Sequence, residues 1–285
     1  MNRILRVFPR LIKAATPDDD LAVVGREPEL ADYGRCDEVH VSVTFDWDKP
    51  KGERLAEAWQ VLGVPVKLGG PAYLSEAGEF TPGMYLKKGY VITSRGCPNK
   101  CDFCKVPGRE GALRTLAIKD GWNVLDNNLL ACPMEHQRAV FDMLDRQCRP
   151  VRFTGGIEAE RFTPWHANRM CGMQIESMWM AYDYPADFEP LRAAVELMRG
   201  TLVSEHRRKK VGAYVLMGRR EDTPEAAEKR LKSVIALGIK TQAMLFDNGA
   251  QCKPEDMKRW WDLRKKYTDA REVGKMVAET WDVSI

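Results

Sequence analysis

Residues 89–110 read GYVITSRGCPNKCDFCKVPGRE and join a predicted strand to a group of cysteines. The apolar, β-branched run YVIT at 90–93 favours a strand, and the Pro and Gly residues that follow favour a loop. That loop carries Cys97, Cys101 and Cys104 in the spacing CxxxCxxC. Three thiolates on one short loop are soft ligands that can hold three corners of a 4Fe-4S cluster and leave its fourth iron open. An open metal position is typical of sites at which a small molecule binds the metal.

The three cysteines, with Phe103 before the last of them, resemble the signature of the radical S-adenosylmethionine (radical SAM) superfamily. In that family the open iron binds the amino and carboxylate groups of S-adenosyl-L-methionine, and an electron from the cluster cleaves the sulfonium to a 5′-deoxyadenosyl radical. The resemblance implies an enzyme that abstracts hydrogen from its substrate and that uses an external electron donor of the flavodoxin or ferredoxin type. It identifies neither the substrate, which can be a small molecule or a macromolecule, nor a catalytic residue.

The composition is that of an ordinary globular protein. With 285 residues, 44% of them hydrophobic, the chain is long enough for one large domain or two smaller ones. The formal net charge of +3 is too small to imply a nucleic acid partner for the whole chain. No apolar run is as long as a membrane span, and the N-terminus lacks the apolar core of a secretory signal. We therefore expect a cytoplasmic protein that makes no membrane contact, with its cysteines reduced.

Residues 1–85 are predicted to form a small α/β segment. The run at 38–45 alternates like a strand, residues 52–62 show the spacing of an amphipathic helix, and 64–68 is a second strand. The segment resembles a shortened version of the Rossmann-like domain found in the cobalamin-dependent branch of the family. Methylthiotransferases of the family also carry an N-terminal domain.

Two features of this segment differ from those branches. It has no DxHxxG stretch to supply a cobalt ligand, and His40 lies within a strand pattern that favours packing. Methylthiotransferases bring three further cysteines, whereas only Cys36 is present here. The sequence therefore favours neither cobalamin nor an auxiliary cluster.

Six strand-and-helix units follow between residues 86 and 250. The predicted strands are 90–93, 122–125, 150–154, 177–182, 211–217 and 241–246. Such alternation implies a parallel sheet in which each functional loop leaves the carboxyl end of a strand. The count matches the six-stranded partial TIM barrel, (βα)6, of the radical SAM family. Residues 251–285 have a helical pattern and are predicted to be a C-terminal extension.

The resemblance also implies where the chain contacts the cofactor. A glycine-rich turn with an acidic residue meets the methionine end of S-adenosyl-L-methionine, and two turns, after the second and third predicted strands, are candidates for that role. Polar or glycine residues after the fourth and fifth strands are implied to contact its ribose or carboxylate and its adenine, and an aromatic residue of the cysteine motif to cover the adenine face. The candidates are Phe103, Asp126, Asn127, Gly155, Gly156, Glu158, Asp183 and Gly218.

Other interpretations of the cysteines remain open. A structural zinc site needs a fourth ligand, and the nearest candidates downstream are Cys132 and His136. The pair Cys101 and Cys104 has the spacing of a redox CxxC motif, although such a motif has no need of Cys97. The alternative function is a non-catalytic zinc- or nucleic-acid-binding module that uses the same cysteines.

The five cysteines outside the motif are expected to be buried small hydrophobes.

Two basic stretches are also present. The run at 206–210 is interpreted as a solvated connector, and the C-terminal helix is expected to bury Trp260 and Trp261 while it exposes its lysines.

Overall fold

A computed structural model of the protein describes residues 2–73, 79–199 and 210–280. The chain divides into two compact units, Met1–Asn127 and Asn128–Ile285. The three-part division predicted from the sequence, with boundaries near residues 85 and 250, stays a prediction. Within the described ranges, no helix has both the length and the apolar character that crossing a membrane requires.

The first unit begins with a four-stranded parallel sheet. Its strands are β1 (Ile4–Phe8), β2 (Ala22–Val24), β3 (Glu38–Ser42) and β4 (Val66–Gly69), in the order β2-β1-β3-β4. Helix α1 (Lys49–Trp59) follows β3 and contributes the buried Leu55 and Trp59 to the core. β3, α1 and β4 confirm the three predicted elements, whereas β1 and β2 were not predicted.

The rest of the first unit carries the cysteines. β5 (Tyr90–Val91) pairs in parallel with β8 (Asn123–Val124), and β6 (Ser94–Arg95) pairs in antiparallel fashion with β7 (Arg114–Thr115). A short helix, α2 (Val106–Glu110), lies in the segment between β6 and β7.

The second unit alternates strands and helices. Its elements are α3 (Met134–Arg146), β9 (Val151–Ile157), α4 (Pro164–Cys171), β10 (Ile175–Tyr182), α5 (Phe188–Arg199), β11 (Val211–Met217), α6 (Pro224–Ala236), β12 (Lys240–Leu245), α7 (Met257–Lys266) and α8 (Ala270–Glu279). β9 to β12 pair in parallel, in the order β12-β11-β10-β9. Apolar side chains of the helices, such as Phe141, Leu191 and Leu231, are fully buried. A mixed α/β fold with parallel sheets is therefore confirmed.

Some local predictions need correction. Gly155 and Gly156 lie inside β9 and not in a turn after it, because the register against β10 shifts between Phe153 and Ile157 and forms a bulge there. Cys148, just after α3, and Cys171, the last residue of α4, are exposed, and Cys252 is half-buried, so only Cys36 and Cys132 are buried as expected.

The C-terminal prediction is confirmed in part. Trp260 is buried in α7, but Trp261 is 43% exposed, with the guanidinium of Arg264 lying 4.9 Å from its ring centroid. Residues 206–209 of the predicted connector and 281–285 of the extension lie outside the described residues.

Candidate functional site

Cys97, Cys101 and Cys104 lie on a loop whose root is closed by a short antiparallel ladder. We call residues 96–113 the cysteine loop. β6 and β7 close it, with Ser94 opposite Thr115 in the ladder. The three cysteines are therefore carried on a segment that both begins and ends at one small piece of sheet.

A buried carboxylate fixes the chain just before the cysteine loop. Asp126, two residues after β8, is only 2% exposed. Its Oδ1 accepts a hydrogen bond from the backbone N–H of Thr93 at 2.7 Å, and its Oδ2 accepts from the hydroxyls of Thr93 at 2.6 Å and Ser94 at 2.7 Å. These three hydrogen bonds hold Thr93 and Ser94 against the residues that follow β8, so Asp126 anchors this segment.

Asn127, the residue after Asp126, holds Gly96, the first residue of the cysteine loop. The side-chain oxygen of Asn127 accepts a hydrogen bond from the N–H of Gly96 at 3.0 Å. Gly96 has a φ of +80°, and a Cβ at this position would lie 2.3 Å from the carbonyl oxygen of Ala112. Only glycine fits this close approach of the two ends of the loop.

Three arginines surround a second buried carboxylate at the root of the loop. Glu110 is 3% exposed and pairs with Arg109 at 2.9 Å, Arg95 at 3.3 Å and Arg114 at 3.4 Å. Burial lowers the pKa of Arg95, and the charge of Glu110 opposes that effect. Three guanidinium groups therefore contact one buried carboxylate at this end of the cysteine loop.

The cysteines of the motif differ from the buried ones elsewhere in the chain. All three are half-buried, whereas Cys36 and Cys132 are each only 4% exposed. The N–H of Val106 lies 3.5 Å from the Sγ of Cys104 and donates to it, and the N–H of Cys104 donates to the carbonyl of Cys101 at 3.0 Å. None of the eight cysteines, all of which lie in the described ranges, forms a disulfide.

The donor chemistry of the loop suits an iron–sulfur cluster. Thiolates are the usual protein ligands of such clusters, and backbone N–H groups that donate to the sulfur atoms tune them. Over the part of the chain that the structure describes, no three His, Cys, Asp or Glu side chains are grouped closely enough to hold a metal ion. The loop therefore offers the right donors without a preformed arrangement of their sulfur atoms.

The residues of the first unit that are predicted to contact the cofactor lie in different surroundings from one another. Phe103 is half-buried on the cysteine loop. Asp126 and Asn127 lie after β8, as predicted, and both side chains hold the start of the loop. Their predicted contact with S-adenosyl-L-methionine stays a prediction.

In the second unit, Glu158, the acidic residue after β9, contacts an amide and a guanidinium group. The Oε2 of Glu158 accepts hydrogen bonds from the Nδ2 of Asn128 and from the Nε of Arg161, both at 2.7 Å. Gly156, in the bulge that precedes it, has a φ of +94°. The bulge and Glu158 therefore stand at the carboxyl end of β9, where the sequence predicts cofactor contacts.

Asp183 follows β10 beside a second carboxylate and a cation. The Oδ2 of Asp187 accepts hydrogen bonds from the N–H groups of Asp183 at 2.8 Å and Tyr184 at 2.7 Å. The guanidinium of Arg219, which follows β11, lies 4.9 Å from the ring centroid of Tyr184. Burial, and then the charge of Asp187, raise the pKa of Asp183 to about 6, while Arg219 opposes the shift.

Gly218 follows β11 at a crowded turn. Its N–H donates to the Oδ2 of Asp222 at 2.9 Å, and Arg230 pairs with the same oxygen at 2.7 Å. The thiol of Cys252 lies 3.4 Å from the carbonyl oxygen of Gly218 and donates to it. The turn is thus fixed by its own polar contacts.

Sequence reasoning missed the residues that organise the loop. The sequence predicts a strand that ends at Thr93 and indicates no role for Ser94 or Glu110. Glu110 lies between the basic residues Arg109 and Arg114, and such a pattern is a signal for a buried ion-pair cluster. No local pattern indicates that Thr93 pairs with Asp126, which lies 33 positions away.

No protein-family model and no curated protein matches the chain.

Proposed function

We propose that this protein is a radical SAM enzyme in which Cys97, Cys101 and Cys104 bind a 4Fe-4S cluster. The observation that carries the proposal is the CxxxCxxC triplet of half-buried thiols on one loop with a fixed root. When bound, such a cluster with S-adenosyl-L-methionine on its open iron supplies a 5′-deoxyadenosyl radical that abstracts hydrogen from a substrate. In the same proposal the parallel sheet curves into the six-stranded partial TIM barrel of that family.

The chain's own residues supply the ligands of the cluster, fix the start of the loop that carries them and place charged groups at its root. Three thiolates hold three irons, and no fourth ligand follows them in the motif. Asp126 fixes the segment that leads into the loop, so the first ligand starts from a defined backbone position. A cluster with three thiolate ligands is anionic, and the guanidinium groups of Arg95, Arg109 and Arg114 beside Glu110 place cationic groups at the root of the loop.

The loop is expected to close on the cluster as the cluster binds. Its two ends are fixed by β6, β7 and Gly96, and its three cysteines are half-buried. Metal binding commonly supplies the free energy that brings ligands together on such a loop. Fixed ends and incompletely buried cysteines favour this behaviour.

The remaining roles follow from the resemblance. Phe103, Glu158, Asp183 and Gly218 are proposed contacts of S-adenosyl-L-methionine, and a flavodoxin- or ferredoxin-like protein is the proposed electron donor. We propose a cytoplasmic location, where such a donor and a reduced cluster can persist.

Reductive cleavage of S-adenosyl-L-methionine tests the proposal. The full-length protein is reconstituted anaerobically with iron and sulfide and then reduced with dithionite in the presence of S-adenosyl-L-methionine. Formation of 5′-deoxyadenosine is followed by mass spectrometry. We expect wild type to form it and the Cys97→Ala, Cys101→Ala and Cys104→Ala variants to form none.

Two matched controls use the exposed cysteines outside the motif. Cys148→Ala and Cys171→Ala remove thiols that are at least as accessible, and we expect both variants to keep the activity. Cleavage that survives in the triple variant of the motif, or that is lost equally in the control variants, contradicts the proposed ligand set.

A further inference from the structure

Helix α7 (Met257–Lys266) has one buried stripe and one exposed face. Trp260 is 2% exposed, Leu263 is 9% exposed, and Tyr267, directly after the helix, is 1% exposed. These residues are three and four positions apart, so they lie on one side of the helix, the side that packs against β12 and α6. The opposite side of α7 is therefore turned to the solvent.

The exposed face of α7 carries an aromatic ring that the sequence predicts to be buried. Trp261 is 43% exposed. The guanidinium of Arg264, three residues later, lies over this ring at 4.9 Å from its centroid. Such a cation–π contact holds the ring in place, so α7 presents a flat apolar surface to the solvent beside a positive charge.

Two of the five cations of α7 are neutralised by carboxylates outside the helix. Arg259 pairs with Glu225 and also with Asp256, the latter at 3.4 Å. Lys266 pairs with Glu228 at 3.2 Å. These two side chains are therefore engaged within the protein.

The other three cations lie around the ring of Trp261. Arg264 contacts the ring itself. Lys258 and Lys265 lie three residues before and four residues after Trp261, which places both on the same face of the helix. Both lysines are exposed, and over the described ranges none of the three cations forms an ion pair. An exposed ring among unpaired cations favours a ligand that carries both planar rings and negative charge.

One carboxylate, that of Asp262, lies among these cations. It directly follows Trp261, it is exposed, and within the described part of the chain its side chain forms no ion pair or hydrogen bond. The unpaired charges of this face therefore sum to 3 − 1 = +2. The oxygens of Asp262 can accept a hydrogen bond from a hydroxyl group of a ligand.

We propose that the exposed face of α7 binds single-stranded RNA. An unpaired base can stack on the ring of Trp261, and the phosphates next to it can meet Lys258, Arg264 and Lys265. The 2′-hydroxyl of a ribose can donate to Asp262, and DNA lacks that group.

The same observations disfavour a membrane surface as the partner. A helix that lies on a membrane needs an apolar stripe along its length, whereas the exposed face of α7 has one aromatic ring between charged residues. The proposal uses neither the cysteine loop nor the cluster, so it stands independently of the proposed function.

Fluorescence anisotropy with the full-length protein and labelled oligonucleotides of about 12 residues tests the proposal. The probes are oligo-rU and oligo-dU, which differ only in the 2′-hydroxyl and avoid the adenine of the proposed cofactor. We expect oligo-rU to bind with a dissociation constant below about 100 µM at about 50 mM salt. We expect oligo-dU to bind about threefold more weakly, because it cannot donate to Asp262.

The salt dependence measures the phosphate contacts. Since each contact with a single strand contributes a slope of about −0.7, three contacts predict about twentyfold weaker binding at about 200 mM than at about 50 mM salt. Replacing Lys258 and Lys265 by Gln together is expected to make this slope shallower by about 1.4. Lys13→Gln removes an exposed lysine of the first unit and is expected to leave the slope unchanged.

Two aromatic variants localise the stacking. Trp261→Ala is expected to weaken the binding of oligo-rU about tenfold, the loss that follows from one missing base stack. Trp47→Ala removes a tryptophan of the first unit that is 58% exposed, and we expect its binding to equal that of wild type.

Asp262→Ala separates a hydroxyl contact from simple charge repulsion. Loss of the negative charge is expected to strengthen the binding of oligo-dU. Loss of the acceptor is expected to abolish the preference for oligo-rU, so that the two probes bind equally.

Four results overturn the proposal. One is no binding of oligo-rU up to about 100 µM protein at about 50 mM salt. Another is unchanged binding in both Trp261→Ala and the double lysine variant. The third is that oligo-dU binds wild type at least as tightly as oligo-rU. The fourth is that vesicles of phosphatidylserine and phosphatidylcholine displace oligo-rU from wild type and bind Trp261→Ala more weakly, because the face would then select a membrane.

Discussion

Replacing Asp126 is predicted to release the start of the cysteine loop. Its carboxylate accepts three hydrogen bonds, from the Thr93 N–H and from the hydroxyls of Thr93 and Ser94, and Thr93 is fully buried. In Asp126→Ala the two hydroxyls can rotate, at a cost of about 1 kcal/mol each, but the buried N–H loses its acceptor at about 2 kcal/mol. The expected loss is about 4 kcal/mol in total.

The matched variant keeps the shape of the side chain. In Asp126→Asn the amide oxygen can still accept from the Thr93 N–H, and the amide nitrogen can donate to the hydroxyl oxygens. We expect a loss of about 1 kcal/mol, mainly from the missing negative charge. The two substitutions therefore separate the anchoring function from simple loss of charge.

Hydrogen exchange of the peptide that covers residues 90–97 measures this anchor locally. Since about 1.4 kcal/mol corresponds to a factor of ten, we expect exchange to accelerate about a thousandfold in Asp126→Ala and less than tenfold in Asp126→Asn. Glu57→Ala, at an exposed position of α1, serves as a control that leaves this peptide unchanged. Unchanged exchange of 90–97 in Asp126→Ala would refute the anchoring role.

Three further predictions concern single residues. Gly96→Ala forces a positive φ on alanine and a 2.3 Å contact with the carbonyl oxygen of Ala112, so its denaturant midpoint should fall by an amount equivalent to about 2 kcal/mol or more. Gly108→Ala lies in α2 and meets no atom within 4 Å, so its midpoint should stay the same or rise slightly. Equal midpoints in the two variants contradict this. Burial lowers the pKa of His166 to about 4, so the unfolded chain binds the proton first, and the contribution of His166 to the free energy of unfolding should fall by about 3 kcal/mol from pH 7 to 4. In urea titrations His166→Gln should have a shallower pH dependence than wild type, and identical slopes refute the assignment. Asp187→Asn should lower the pKa of Asp183 from about 6 while burial keeps it above 3.8, and an NMR titration that finds no change contradicts the role of the second charge.

Elements with a strong local signal could be predicted from the sequence. The start of α6 is marked by Thr223, whose hydroxyl accepts from the N–H of Ala226, and by Pro224 in the first turn. β11 matches its predicted bounds because the run 211–217 is apolar on both faces of a buried strand. Local capping and apolar continuity are therefore sufficient for these elements.

Elements that depend on distant partners could not be predicted. β1 contains Arg6, which is buried and pairs with Asp19, so its sequence has no clean apolar alternation. β2 has only three residues, too few to show a period. The bulge in β9 depends on its register against β10, which a single strand sequence does not contain.

The candidate site, too, could be predicted only where its signal is local in the sequence. The three cysteines are recognisable because their chemistry and spacing are local. The anchoring function of Asp126 is not, since its partners Thr93 and Ser94 lie 33 and 32 residues earlier in the chain. An acidic residue at a strand end suggests ligand binding as readily as loop support, and only the fold shows which contacts it makes within the protein.

The most direct test of the proposed function is the metal content of the wild-type protein purified without oxygen. Iron, acid-labile sulfide and zinc are measured per chain on one sample. A 4Fe-4S cluster on Cys97, Cys101 and Cys104 predicts about four irons and four sulfides per chain with little zinc. A protein that contains about one zinc and no iron contradicts the cluster and with it the proposed radical chemistry.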